Sequence, residues 1–191
     1  MSSASTHPDI HRFLLAWSGW GGTHELHANP TSARLGLLRY LRDQQVREVL
    51  AWPAGRLPLP GLDDALRDAG FVLVEAEGQE PGTGLETGLT GADAGLIDTG
   101  SLVFEPGPGR SWLPALLPSR HIVILPSGRL YPSLAAWRSQ QVGREQETAG
   151  ALIVTGPSIS ADIEFHRHRG TFGPRFLHLI LVDGLGGKRE A

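Results

Sequence analysis

From Leu35 onward the apolar residues Leu35, Leu38, Leu41 and Val46 recur near the 3.6-residue period of a helix, and Thr31 and Ser32, after Pro30, stand where hydroxyls cap its start. The pattern predicts an amphipathic helix of about three turns lying on a flat surface. Two short apolar runs follow, Val49 to Trp52, closed by Pro53, and Phe71 to Val74. Between them Leu62, Ala65, Leu66 and Ala69 form a helical stripe, with Asp63 and Asp64 complementing the dipole of its first turn and Gly70 as a natural stop. Together these segments read as a strand, helix, strand unit.

Five further runs, Ala94 to Ile97, Leu102 to Glu105, His121 to Leu125, Ala151 to Thr155 and Leu177 to Val182, are short and apolar at successive positions, as strands buried on both faces are. Ser133 to Gln141 and Ser160 to His168 read as helices long enough to be the crossovers that parallel pairing requires. Only four residues separate Ile97 from Leu102, a hairpin length, so those two strands are expected to pair antiparallel. The expected class is α/β, a three-layer α/β/α arrangement with a mixed, mostly parallel sheet. Residues 1–30 read as an N-terminal extension, 31–185 as the domain and 186–191 as a frayed tail, with irregular segments at 75–89 and 143–150.

Hydrophobic residues make up 40% of the 191 and charged residues 19%, enough for a core and too little charge for a disordered chain. A formal charge of -3 without a Lys/Arg cluster argues against nucleic-acid binding. No apolar run approaches the ~20 residues of a bilayer-spanning helix, and the first residues lack a secretory pattern, so the cytoplasm is the expected location. The absence of cysteine excludes a disulfide, a cysteine nucleophile and an iron–sulfur cluster held by this chain's own thiolates. No cofactor is therefore expected on the chain itself. His24 with His27, and His166 and His168 with His178, have no recognised metal-ligand spacing, so no metal is expected either.

Loops at the carboxyl ends of strands are where open α/β sheets bind ligands. Three combine glycine with polar side chains. Thr90-Gly91-Ala92-Asp93 and Asp98-Thr99-Gly100-Ser101 bracket one strand, their glycines permitting close approach of the backbone and their side chains supplying hydroxyls and a carboxylate. The same residues also make ordinary hairpin turns. Glu105-Pro106-Gly107-Pro108-Gly109-Arg110 is a stiff loop ending in an arginine, suited either to forking a small organic acid or to pairing with Glu105. Thr155-Gly156-Pro157-Ser158 leads towards Asp162 and Glu164 at the start of an expected helix, which Ser158 or Ser160 would cap and whose N–H groups suit an anion.

The ordered set of these motifs, with Leu-Leu-Pro before His121, Ala161-Asp162-Ile163-Glu164, and Gly173-Pro174 before His178, resembles the LUD domain family, and within it the lactate utilization protein C group, strongly over about residues 85–183. The resemblance implies a sheet like those of the phosphosugar isomerases and coenzyme A transferases (the NagB/RpiA/CoA transferase-like fold). It also implies a role in L-lactate utilization, the oxidation of lactate to pyruvate, beside two iron–sulfur partner proteins that would carry the clusters. On this expectation Thr99, Gly100, Ser101, Arg110, Gly156 and Ser158 line a pocket, with Arg110 on a carboxylate and Asp93, Asp162 and Glu164 as candidate acid/base groups. A non-catalytic accessory subunit is the alternative, and an acyl or coenzyme A transferase-like enzyme with Glu105 as nucleophile is a third reading, resting on fold analogy.

Overall fold

The computed structural model describes residues 7–76, 85–141, 150–161, 167–169, 173–183 and 185. Helix α1 (His7–Gly19), strand β1 (Thr23–His27) and helix α2 (Pro30–Asp43) precede β2 (Glu48–Ala51), α3 (Leu62–Asp68), β3 (Val72–Glu75) and β4 (Thr87–Gly91). A hairpin of β5 (Ala94–Leu96) and β6 (Ser101–Phe104) leads through the short α4 (Leu113–Leu116) to β7 (Arg120–Pro126). Next come β8 (Leu130–Tyr131), α5 (Leu134–Ser139), β9 (Leu152–Val154), β10 (Ile159–Ala161), β11 (Arg167–Arg169) and β12 (Phe176–Val182).

Six strands in the order β1-β12-β7-β4-β2-β3 form the central sheet, and each neighbouring pair is parallel. Its middle strands read Ile-Val-Ile-Leu at 122–125 and Leu-Ile-Leu-Val at 179–182, all fully buried, as parallel strands covered on both faces must be. The antiparallel hairpin expected between Ile97 and Leu102 exists, but it belongs to a second sheet of order β8-β5-β6-β9. Two parallel neighbours need a connection that crosses back over the sheet. Between β4 and β7 that crossover is the hairpin with α4 rather than a single helix.

On one face of the central sheet α2 packs on β1 and β12, and α3 on β3. The second sheet covers the other face, with Gly95 against Leu125 and Phe13, and the Phe104 ring 5.7 Å from that of His121. Its outer surface carries α5, whose Trp137 is buried with Ala94, Leu96 and Val103. Ser133 caps α5 through Ala136 N, as its spacing predicts.

Three sequence readings change. The first turn of α2 is capped by Asn29, which accepts from Ser32 N, and Pro30 takes the first helical position, where its missing N–H costs nothing. The residues read as an extension supply α1, with Phe13 and Trp17 fully buried, and the edge strand β1. The helix expected over Ser160 to His168 is absent in its described part: Ile159–Ala161 pair antiparallel with Arg167–Arg169. Hence neither Ser158 nor Ser160 caps a helix there. Asp162 and Glu164 lie outside the described residues, as do 186–191. Among the described residues no helix is long and apolar enough to cross a membrane.

Candidate functional site

Strands β2, β4 and β7 end at one edge of the parallel sheet, and the chain leaving them walls a cleft of about 820 Å³. Its rim is the Pro/Gly-rich loop after β2, its floor Asp93 and Arg110, and its far side Pro126 and Arg129. The carboxyl edge is open because successive loops diverge there to reach opposite faces of the sheet.

Arg110 is the best-fixed polar side chain in the cleft. A turn closed by Arg110 N donating to Gly107 O, at 2.9 Å, with Gly109 at φ +71, brings the arginine back over the floor. Its Nη2 donates to Asp93 Oδ2, and Glu105 N donates to the same oxygen at 2.7 Å. The guanidinium carbon sits 4.6 Å from the centroid of the Trp52 ring, which is itself held by its Nε1 donating to Ser111 O at 2.8 Å. Arg110 and Asp93 are 6% and 8% exposed, so this is a buried ion pair. The second terminal nitrogen, Arg110 Nη1, is buried and has no hydrogen-bond partner. An unmade bond on a buried charged donor costs more than the about 1–3 kcal/mol of a neutral one, so an acceptor supplied by a ligand has something to gain.

Arg129 reaches the floor from the turn that follows β7 and donates from Nη1 to Ala92 O at 2.9 Å, next to Asp93. Arg56 and Asp63 complete the charged lining. Three arginines against two aspartates leave the cleft with one positive charge in excess, which favours a single anion.

The candidate residues fall into two groups. Asp93 and Arg110 line the cleft, and Glu105 contributes its backbone N–H to Asp93. Arg110 pairs with Asp93 and not with Glu105 as the sequence suggested, because Asp93 stands directly across the hairpin register, where its N–H bonds Val103 O. Glu105 is itself buried and does not line the cleft. Thr99, Gly100 and Ser101 sit at the other end of that hairpin, the nearest of them, Ser101, four residues from Glu105 and so about 13 Å away along the strand. There Ser101 Oγ donates to Thr99 Oγ1 at 2.8 Å and lies 2.7 Å from Thr155 Oγ1. Gly100 has φ +67, and a Cβ on it would meet Trp17 N at 2.5 Å, so this glycine seats the turn on α1. Gly156 lies against Trp20, and Ser158 N bonds Pro174 O at 2.8 Å. This second group knits β6, β9 and α1 together.

Sequence reasoning passed over Trp52, Arg56 and Arg129. The signal was present: Trp52-Pro53-Ala54-Gly55-Arg56 and Pro126-Ser127-Gly128-Arg129 both leave carboxyl ends of buried strands, the places the rule points to. His121 and His178 belong to the sheet. Burial pushes the His121 imidazole down to about 3 and, with His24, His27 and Arg120 nearby, that of His178 to about 4. His121 Nε2 is 2.8 Å from Thr90 Oγ1, and His178 Nδ1 is 2.8 Å from Thr23 Oγ1. Among the described residues no group of three His, Asp or Glu side chains could hold a metal.

A parallel central sheet with a polar cleft at its carboxyl edge defines the class: an α/β protein built like those that hold small ligands between strand ends. Within that class, residues 71–182 match the LUD domain, and the chain belongs to the LUD domain family. It is 34% identical over 143 residues to the lactate utilization protein C of Macrococcus caseolyticus, covering 71% of this chain and 62% of that protein. To the protein of the same name from Halalkalibacterium halodurans it is 31% identical over 157 residues, covering 75% and 66%. The match thus spans less than two thirds of either relative. The crystal structure of a DUF162 family protein from Deinococcus radiodurans superposes with a TM-score of 0.64 over 92% of this chain and 96% of that one, at 15% identity, and so shares the fold.

Proposed function

We propose that this chain serves a lactate utilization system, binding a small carboxylate in the cleft and acting beside two iron–sulfur partner proteins in the oxidation of L-lactate to pyruvate. The relatives' names support the pathway. The observation that carries the binding reading is Arg110, buried in the cleft wall, fixed by Asp93 and Trp52, with Nη1 unpartnered. Oxidation of lactate releases two electrons and two protons. With no cysteine in this chain, the electrons would leave to clusters held by the partners.

In this reading Arg110 and Arg129 flank the carboxylate, and Asp93 positions Arg110. Asp93 accepts from both Arg110 and Glu105 N through one oxygen, which makes it an anchor and a poor proton carrier. The accessory reading draws on the Thr99, Ser101 and Thr155 cluster, whose bonds are internal to the fold. The acyl-transfer reading loses support, because its nucleophile, Glu105, is not in the cleft lining.

The test is lactate-dependent dye reduction by the two partners with and without this chain, alongside size-exclusion chromatography of the mixture. Dependence on the chain, with turnover lowered by Arg129→Ala and Arg110→Lys in proteins of wild-type stability, supports the proposal. Partners that turn over lactate equally well alone overturn it.

A further inference from the structure

A three-carbon acid takes up about 100 Å³, the share of roughly three waters in the liquid, whereas the cleft measures about 820 Å³. Space is therefore left over after a carboxylate has reached Arg110 and Arg129. A second cavity of about 290 Å³ lies between α3 and the edge strand β3, and Trp52, Ala54 and Asp63 line both. The two cavities therefore adjoin at these three residues, and we treat them as two lobes of one site. The first lobe carries the arginines, and the second is walled by Phe71, Val72 and Leu73.

The second lobe adds no net positive charge to that of the first. In the second lobe Asp63 and Glu75 face a single cation, Arg67, which divides its contacts between Asp63 at 3.8 Å and Asp64 at 3.5 Å. A second carboxylate on the ligand would meet like charge there, whereas an apolar group would cover Val72, now 51% exposed, and leave water.

From this we infer that the cleft selects a monocarboxylate with an apolar arm larger than a methyl group, its head between Arg110 and Arg129 and its arm in the lobe beside β3. The inference rests on the carboxylate reading above and specifies its substrate class. Lactate, whose arm is only a methyl group, falls short of that class and would occupy part of the first lobe alone.

Calorimetric titration of the purified protein with L-lactate, L-3-phenyllactate and L-malate tests this. Phenyllactate is expected to bind at least tenfold tighter than lactate, and malate more weakly than phenyllactate. In Val72→Asp the ratio of phenyllactate to lactate affinity is expected to fall to near one. Val72 is half exposed on an edge strand, so the variant keeps its fold, which circular dichroism checks. Lactate binding with no gain for phenyllactate overturns the two-lobe inference and leaves the carboxylate reading standing. A gain that survives Val72→Asp, or tighter binding of malate, also overturns it. If none of the three acids binds, the carboxylate reading falls and this inference with it.

Discussion

Arg110 is gripped from three directions, by Asp93 at its tip, by Trp52 beneath its plane and by the Gly107–Arg110 turn behind it. Removing one member of a buried pair strands the other charge among apolar neighbours. Asp93→Ala is therefore expected to cost roughly 3–5 kcal/mol in urea unfolding at pH 7, while Asp93→Ala combined with Arg110→Met recovers most of that stability without recovering carboxylate binding. A double variant no more stable than the single one would mean that the pair matters less than the space it fills. At the far end of the hairpin, Gly100→Ala puts a methyl group 2.5 Å from Trp17 N at a left-handed φ. It should destabilise by more than about 2 kcal/mol with little effect on ligand affinity, because Gly100 serves the seat on α1 and not the cleft.

At the level of elements, helix α2 depends on a cap that its sequence hid. Asn29→Ala should cost about 1 kcal/mol in the same assay, and Thr31→Ala clearly less, reversing the order that the hydroxyls near Pro30 suggest. Strands β2, β7 and β12 were legible because their apolar runs of strand length are buried, and β3 and α3 because an apolar run and a helical stripe persist there although β3 is an edge strand. Helix α1 was equally legible, since Ile10, Phe13, Leu14 and Trp17 keep a strict helical spacing and are all buried, but its stripe lies inside a stretch read as an extension. Strand β1, Thr-His-Glu-Leu-His, gave no apolar signal because it is an edge strand. Strand β4, Thr-Gly-Leu-Thr-Gly, looked like a loop. Its Gly88 is required by tertiary packing, a Cβ there falling 1.8 Å from Pro114 O, and local propensity carries no trace of that contact. In the cleft, Asp93 and Arg110 were found from loop chemistry, whereas their pairing and the approach of Arg129 depend on where the second sheet lands.

For the whole molecule, two buried neutral histidines tie stability to pH. Their folded values of about 3 and about 4 lie below the ~6.5 of an unfolded histidine, so the unfolded chain binds more protons once the pH drops below ~6.5. Their stabilising contribution is present above that pH and is lost as the pH falls towards the folded values. Between pH 7 and pH 5 the two together should remove about 4 kcal/mol, read as a falling urea midpoint, and the fall should be shallower in His121→Gln and His178→Gln. Across the molecule the central sheet presents three strand ends to one cleft and the second sheet supplies the Asp93–Arg110 brace. The most direct measurement is the melting temperature of the protein with and without L-lactate, for the wild type and Arg129→Ala. At 100 times its Kd a ligand adds ~2.7 kcal/mol, roughly a 5–10 °C rise for a chain of this length. That rise is expected in the wild type and its loss, at the same lactate concentration, in Arg129→Ala; a wild type whose melting temperature is indifferent to lactate, or a variant that responds equally, would overturn carboxylate binding in the cleft.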